Sequence, residues 1–406
     1  DADPHRMRST RSHMHRPSPF DPPPVHGSNA PALTGLLQTT LARVPVTLVL
    51  LASNILIFAA MLFHGASLWH TSTTVPLAWG ANFGPATQDG QWWRLGSAMF
   101  LHFGIVHLLL NMWALWDIGR LLEQVYGRWR FVLLYLGSGV IGNLLSLVIQ
   151  GNDAVSGGAS GAIFGLYGAL VLFLWRERAQ MERGECRWMF GAATIFIVLA
   201  LVMGQLIPGI DNSAHIGGLV SGALLGVALS RPWTFNSPRN RSVRVAALGL
   251  LLLASASLWI NVPAPSYRLG EEIRAREAIN RFLVQDQRIS QQWESILGKG
   301  QEKQLSFDHL AGQIDSAVTS EYQESFENLS ALHLDTAAPS AKTLEILRKY
   351  AELRSNASQE LSDGLRKRDP VQIRKALETA RQAPVLARGA SGPAAPAPAA
   401  AAQGRP

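Results

Sequence analysis

The chain has 406 residues, of which 48% are hydrophobic and only 16% charged, well below the quarter or so of charged residues usual in a soluble domain. Its single cysteine excludes a disulfide scaffold and a cysteine zinc site. The formal charge of +7 would suit nucleic acid, but most of the arginines lie between long apolar runs, so the composition indicates a polytopic membrane protein with no nucleic-acid partner.

Residues 1–40 are rich in Pro, His, Arg and Ser and read as a disordered arm, in which His5, His13 and His15 lack the fixed geometry of a metal site. Seven runs then approach the roughly 20 apolar residues that a membrane helix needs: 46–63, 99–117, 130–149, 157–175, 189–207, 212–230 and 245–262. The fourth and sixth are rich in Gly and Ala. They carry small residues at every fourth position, Gly157, Gly161 and Gly165 in one and Gly218, Gly222 and Gly226 in the other. That spacing lets two helix backbones come close together in lipid. Past Pro263 the composition turns charged and amphipathic. Ala275, Ala278, Ile279, Phe282, Ile289, Trp293 and Ile296 fall on one helical face, followed by Phe307, Leu310, Ile314 and Ala317 and then by Leu344, Leu347 and Ala351. These stripes predict a small helical domain with nothing catalytic in it, and the Ala/Pro-rich end, Gly389–Pro406, reads as disordered. The chain thus divides into an arm at 1–40, a six-helix block at 41–232, a loop and seventh span at 233–263, a helical domain at 264–387 and a tail at 388–406.

Arginines alternate between the connections. Arg6, Arg8, Arg11 and Arg16 precede the first span, Arg120, Arg128 and Arg130 follow the second, Arg176, Arg178, Arg183 and Arg187 the fourth, and Arg231, Arg239, Arg241 and Arg244 the sixth. The first, third and fifth connections are nearly free of positive charge, with Arg94 the main exception. The positive-inside rule then puts the N-terminus in the cytoplasm and, after seven spans, the C-terminal domain outside. The first apolar run starts too late for a signal peptide.

Ionisable and polar groups inside spans are costly and mark function by default. The second run supplies His102, His107 and Asn111, the fourth Ser160 and the sixth His215. All sit in the outer half of runs that pass from outside to inside, so they share one depth. Taken singly, a Ser in Gly-Ala-Ser-Gly fits helix packing, and a His/Asn pair four apart fits a hydrogen bond between helices. Taken together, these are the residue types of acyl transfer: a hydroxyl, an imidazole to take its proton, and donors for an oxyanion. The chain has no Gly-rich phosphate loop with Lys and no His-Glu-x-x-His, so neither a nucleotide, nor a metal, nor another cofactor is expected.

Five segments resemble the motifs of rhomboid intramembrane serine proteases, over about residues 46–230. Trp92-Trp93-Arg94 resembles the Trp-Arg element of the family's first outer loop, and His102 through His107 to Asn111 its spacing of two His and an Asn. Gly119 to Gly127, with Glu123 between, resembles the cytoplasmic end of the same helix. Gly158-Ala159-Ser160-Gly161 resembles the family's Gly-x-Ser-Gly, and Ala214-His215-Ile216-Gly217-Gly218 its Ala-His-x-x-Gly. The resemblance implies an all-α polytopic bundle, a six-helix rhomboid core plus one extra C-terminal span, here carrying the small outer helical domain. It implies Ser160 as nucleophile and His215 as general base, a dyad without a carboxylate. The Ser160 backbone N–H, His107 and Asn111 would hold the oxyanion, and His102 would brace the outer loop. Trp93, Arg94, Glu123, Gly158, Gly161, Phe164 and Gly218 would support the site. Phe164 stands where the family often has a Tyr stacked on the catalytic imidazole. Asp211, one turn before His215, is not expected to complete a triad.

On this resemblance the partners are single-span transmembrane proteins entering laterally near the first outer loop and the fifth span, together with membrane lipid. The outer domain would dock substrate, contact a regulator or form oligomers. The Ala/Arg-rich composition and short loops suit a bacterial inner membrane. Two other readings compete: a silent rhomboid-like protein that binds transmembrane helices and controls their fate, and a transporter using His102, His107 and His215 as an ion path. The first usually lacks the nucleophile or base kept here, and the second lacks the intramembrane carboxylates of a proton relay.

Overall fold

The computed structural model describes residues 43–232, 240–303 and 305–388. The arm at 1–40 with its His5, His13 and His15, the residues Arg6, Arg8, Arg11, Arg16 and Arg239, and the tail Gly389–Pro406 lie outside the described residues. Each of the seven expected runs contains a helix: α1 Pro45–Phe63, α2 Ile105–Tyr126, α3 Arg128–Gln150, α4 Ser160–Glu177, α5 Arg183–Leu206, α6 Asn212–Ala228 and α7 Arg241–Ile260. By length and composition α1, α2, α3, α5 and α7 are able to cross a membrane. The remaining two, α4 and α6, have 18 and 17 residues and form the centre of the bundle, packed against each other and against α3.

Two boundaries differ from the expectation. The second helix begins at Ile105, not near 99, and runs on to Tyr126. The backbone just before it is bonded to the preceding loop instead of to a helical turn: Thr71 N donates to Phe103 O (2.9 Å) and Ile105 N to Leu68 O (2.7 Å). His102 therefore precedes α2 and is not inside it. The fourth helix begins at Ser160, because Gly158 takes φ +139°, a conformation nearly closed to residues with a Cβ. Gly157 accordingly falls outside the α4 row of small residues.

The rest of that row meets its counterpart as the spacing predicts. A Cβ on Gly218 would collide with the Gly161 carbonyl, and one on Gly222 with the Gly165 backbone. On the other side of α6, a Cβ on Gly142 of α3 would lie 2.7 Å from the Ala214 carbonyl oxygen. Lipid provides no hydrophobic drive between helices, so this close packing is itself what holds them.

Helix starts in an apolar medium need partners for their first amides. In α1 the first residue is Pro45, which has no N–H. The buried carboxylate of Glu123, from the end of α2, accepts the next two amides, Val46 N at 3.0 Å and Thr47 N at 2.8 Å, and the Thr47 hydroxyl at 2.8 Å. Gly119, one turn earlier, leaves room for Thr47. In α6 the cap is Asp211, which accepts Ala214 N at 3.0 Å and also binds Ser146 Oγ (2.5 Å), Gln150 Nε2 (2.8 Å) and Ser156 Oγ (2.6 Å).

Beyond α7 come α8 Leu269–Lys303, α9 Phe307–Ile314, α10 Ser320–Ser330, α11 Ala341–Lys367 and α12 Pro370–Arg388. The expected stripes converge on one core: Ile279, Phe282, Trp293 and Ile296 from α8 meet Leu310 and Ile314 from α9, Tyr322 from α10 and Leu344, Leu347 and Ala351 from α11. Phe307 is an exception and is exposed. The Asp286 carboxylate accepts from the Tyr322 and Tyr350 hydroxyls at 2.7 and 2.8 Å, and the buried Arg354 lies over the Trp293 and Tyr322 rings. The end of α7, the stretch that follows it and the start of α8 are fastened to connections of the bundle. Asn152 exchanges bonds with Ala264 O and Ser266 N, the Asp89 carboxylate accepts Gly270 N at 2.8 Å, and Trp92 packs on Trp259 at 4.5 Å. Helices α8–α12 therefore join the bundle at the end where α4 and α6 begin.

Removing the Glu123 carboxylate leaves the start of α1 without acceptors. Glu123→Ala is expected to destabilise the fold by about 1–3 kcal/mol for each stranded donor, read as a lowered thermal unfolding midpoint in detergent; an unchanged midpoint would show that the cap carries no such load.

Candidate active site

Helices α2, α4 and α6 each bring one reactive side chain to the same end of the bundle. Ser160 is the first residue of α4, His215 the fourth of α6 and His107 the third of α2. The glycine contact between α4 and α6 brings Ala214 against Gly161, which sets the neighbouring side chains face to face. His215 Nε2 and Ser160 Oγ are 2.8 Å apart across 55 residues of sequence. The Phe164 ring, one turn after Ser160, lies flat on the imidazole at 4.3 Å and 5°. The expected stacking without a hydroxyl is present.

His107 faces the lead-in to Ser160. A Cβ on Gly158 would lie 2.9 Å from His107 Nε2, so this glycine supplies both the left-handed turn and the space for the ring. His107 Nδ1 accepts from Phe103 N at a long 3.5 Å, which leaves Nε2 as the protonated nitrogen on the Ser160 side. Asn111 is buried, and its amide donates to the His107 carbonyl of its own helix at 2.8 Å. That bond uses one of its two N–H groups. His102 is buried and packs edge-on against His107 at 5.0 Å; its ring contact is with His107, while its neighbour Phe103 holds the loop.

The connection between α1 and α2 is tied down at many points. Arg94, 4% exposed, donates to Leu77 O (2.7 Å), Ala81 O (3.0 Å) and Gln91 Oε1 (2.9 and 2.6 Å). Burial pushes this guanidinium down to about 10, so it remains a cation at neutral pH. Trp93 stacks under the Arg94 guanidinium at 5.0 Å and fills the space beside Gly80. Asn82 and Ser156 form an antiparallel bridge, and Asn82 Nδ2 donates to Asn143 O at 2.9 Å. Loop, α3 and the α3–α4 connection are thus one unit around Ser160.

Two further residues belong to this region: Asp211, not expected to complete a triad, and Asn212, which the sequence does not single out. Asp211 stands one turn from His215, but its carboxylate is committed to Ser146, Gln150, Ser156 and the α6 amide. Asn212 instead approaches the imidazole, with its Oδ1 3.2 Å from His215 Nδ1. Its position three residues before His215 on a helix was the available signal.

A family model described as Rhomboid domain matches residues 89–232, a range that contains His102, His107, Asn111, Ser160, Phe164, Asp211, Asn212 and His215. Rhomboid protease GluP of Bacillus subtilis is 32% identical over 282 residues, covering 67% of this chain and 52% of that protein; the chain therefore spans about half the length of this relative. "Putative rhomboid protease YdcA", also of Bacillus subtilis, is 37% identical over 190 residues, 46% of this chain and 90% of its own length. RHOMBOID-like protein 5 of Arabidopsis thaliana is 43% identical over 147 residues, 36% of this chain and 47% of its own. Bundle, motifs and relatives agree: the chain is an integral membrane protein of the rhomboid family.

Proposed function

We propose that this chain is an intramembrane serine endopeptidase that hydrolyses peptide bonds in or near the transmembrane segment of single-span membrane proteins. The observation that carries the reading is the 2.8 Å approach of His215 Nε2 to Ser160 Oγ at the start of two tightly packed helices. A serine hydroxyl is a weak nucleophile until a base takes its proton. Nε2 stands within the reach such a transfer needs. Ser160 Oγ attacks the scissile carbonyl carbon while its proton passes to Nε2, and the same proton then goes to the leaving amine. Water, deprotonated by His215, adds to the acyl-enzyme and frees the serine. The charge that builds on the carbonyl oxygen is met by the Ser160 N–H, free at a helix N-terminus, by His107 Nε2 and by the uncommitted N–H of Asn111. Phe164 holds the imidazole plane, and His102 supports the His107 ring.

The substrate enters from the lipid beside α5. In that helix only Met189 and Ala193 are buried, whereas the loop on the other side of the site is held by Arg94 and the Asn82–Asn143 contact. A helical peptide bond is shielded by its own hydrogen bonds, so substrates with helix-weakening residues near the site are preferred. By the positive-inside rule the Arg-rich connections support a cytoplasmic N-terminal side and a Ser160 end outside, which would suit a bacterial inner membrane. The α8–α12 bundle, joined to the outer end of the site, is positioned to contact a regulator, a substrate or a second copy.

Reconstituted in liposomes with a single-span reporter, the parent is expected to cleave, and Ser160→Ala and His215→Ala each to lose more than about a thousandfold in kcat. Because the two residues act as one unit, the double variant should be no worse than either single one. Reporter binding without cleavage by the parent would overturn this reading in favour of a silent helix-binding relative. The stacked ring gives a graded test. Phe164→Leu should lower kcat by roughly threefold to tenfold, the value of an aromatic pair, and Phe164→Tyr should keep it; equal rates for the leucine variant and the parent would show that the stack is only packing.

A further inference from the structure

Asn212 opens α6, three residues before His215, and makes two side-chain contacts. Its Oδ1 lies 3.2 Å from His215 Nδ1, and its Nδ2 donates to the Leu201 carbonyl of α5 at 3.0 Å. The second contact decides which way round the amide stands. A backbone carbonyl only accepts, so the nitrogen faces Leu201 and the oxygen faces the imidazole. An amide oxygen also only accepts, so Nδ1 carries the ring proton. Nε2 is then left bare towards Ser160, which is the form that can take a proton from the hydroxyl. The chain makes room for this arrangement: a Cβ on Gly204 of α5 would collide with the Asn212 amide.

Among the described residues, Asn212 Oδ1 is the hydrogen-bond partner of Nδ1. The charged or titratable neighbours felt by the imidazole are Asp211 and His107. Asp211 is occupied by Ser146, Gln150, Ser156 and Ala214 N, and His107 lies on the Gly158 side of Ser160.

We propose that Asn212 is a positioning residue for the Ser160/His215 pair: it holds His215 in the Nδ1–H tautomer, and through Leu201 it makes that setting depend on the seating of α5. The inference rests on the protease reading above. Helix α5 is the least buried element around the site, with Met189 and Ala193 as its buried residues. When α5 swings away to admit a substrate, the Leu201 carbonyl leaves Asn212 Nδ2, and the amide is free to turn. The base is then fully set only when α5 has closed again.

The test compares the full-length parent with Asn212→Ala and Asn212→Asp in liposomes, measuring kcat and KM for the single-span reporter across pH. In parallel, solid-state 15N spectra of histidine-labelled protein report the His215 tautomer, with His215→Ala assigning the signal. Asn212→Ala should lower kcat by about 10- to 100-fold, the worth of one hydrogen bond to a charged group, with KM within about twofold. It should also move part of the His215 signal to the Nε2–H form. Asn212→Asp keeps the acceptor and should recover much of kcat. Its added negative charge favours the imidazolium and raises the pKa of the base, so the acid limb of the kcat profile should move to higher pH; the tautomer change in the alanine variant is the readout that a purely structural role would not produce. An alanine variant with parental kcat and an unshifted tautomer would sink the proposal, as would loss of kcat in both variants with an unmoved pH profile. Absence of cleavage by the parent, or cleavage that survives Ser160→Ala, would instead sink the protease reading, and the 15N spectra would still decide whether Asn212 sets the tautomer.

Discussion

Helices α4 and α6 touch backbone to backbone, and the 2.8 Å contact of Ser160 with His215 exists because they do. Their side chains come from residues 55 apart in sequence, on helices that begin at the same end of the bundle. Gly218 lies on the Gly161 carbonyl and Gly222 on the Gly165 backbone, so a single methyl at either crossing pushes the axes apart. A displacement of about 1 Å is enough to spoil a proton transfer geometry. From the other flank, Gly142 of α3 presses on the Ala214 carbonyl, one residue before His215. The imidazole is thus carried on a helix held between two others, and lipid, as apolar as the helices themselves, does not substitute for that contact.

The same economy governs the buried polar groups. A buried polar group is costly unless it is hydrogen-bonded, and the partners of Glu123, Asp211, Arg94 and Asn82 tie together segments distant in sequence. Glu123 fixes the start of α1 to the end of α2. Asp211 fixes the start of α6 to the end of α3 and to the connection before α4. Arg94 and Asn82 fix the first outer loop. These four residues are therefore fasteners at both ends of the bundle.

Hydropathy locates the helices, because lipid tolerates no other spanning backbone, but it does not mark where they begin. The second helix looks longer at its outer end than it is, since Leu101 and Phe103 are apolar yet sit in a segment whose backbone bonds the loop. Hydropathy is equally blind to the turn at Gly158, which shifts the start of α4 to Ser160 and removes Gly157 from the packing row. Ser160, His215, His107 and Phe164 are legible because each stands in a short motif with fixed spacing. Asn212 and the fourfold use of Asp211 are not, because their meaning comes from contacts with α3 and α5 that no local pattern encodes. The outer helices show the reverse: their 3.6-residue stripes predict the core that forms, while the Asp89, Trp92 and Asn152 attachments depend on loops far away in sequence.

These attachments are unevenly placed around the site. Helix α7 packs against α3 and α6, whereas α5 packs mainly on α4. The chain leaving α7 meets the first outer loop at Trp92 and Asp89 and the α3–α4 connection at Asn152, all within the unit already held rigid by Arg94 and Asn82. It does not bind α5 through any of these contacts. Helices α8–α12 are therefore attached on the side of the site that Arg94 and Asn82 fasten, away from the lightly buried α5.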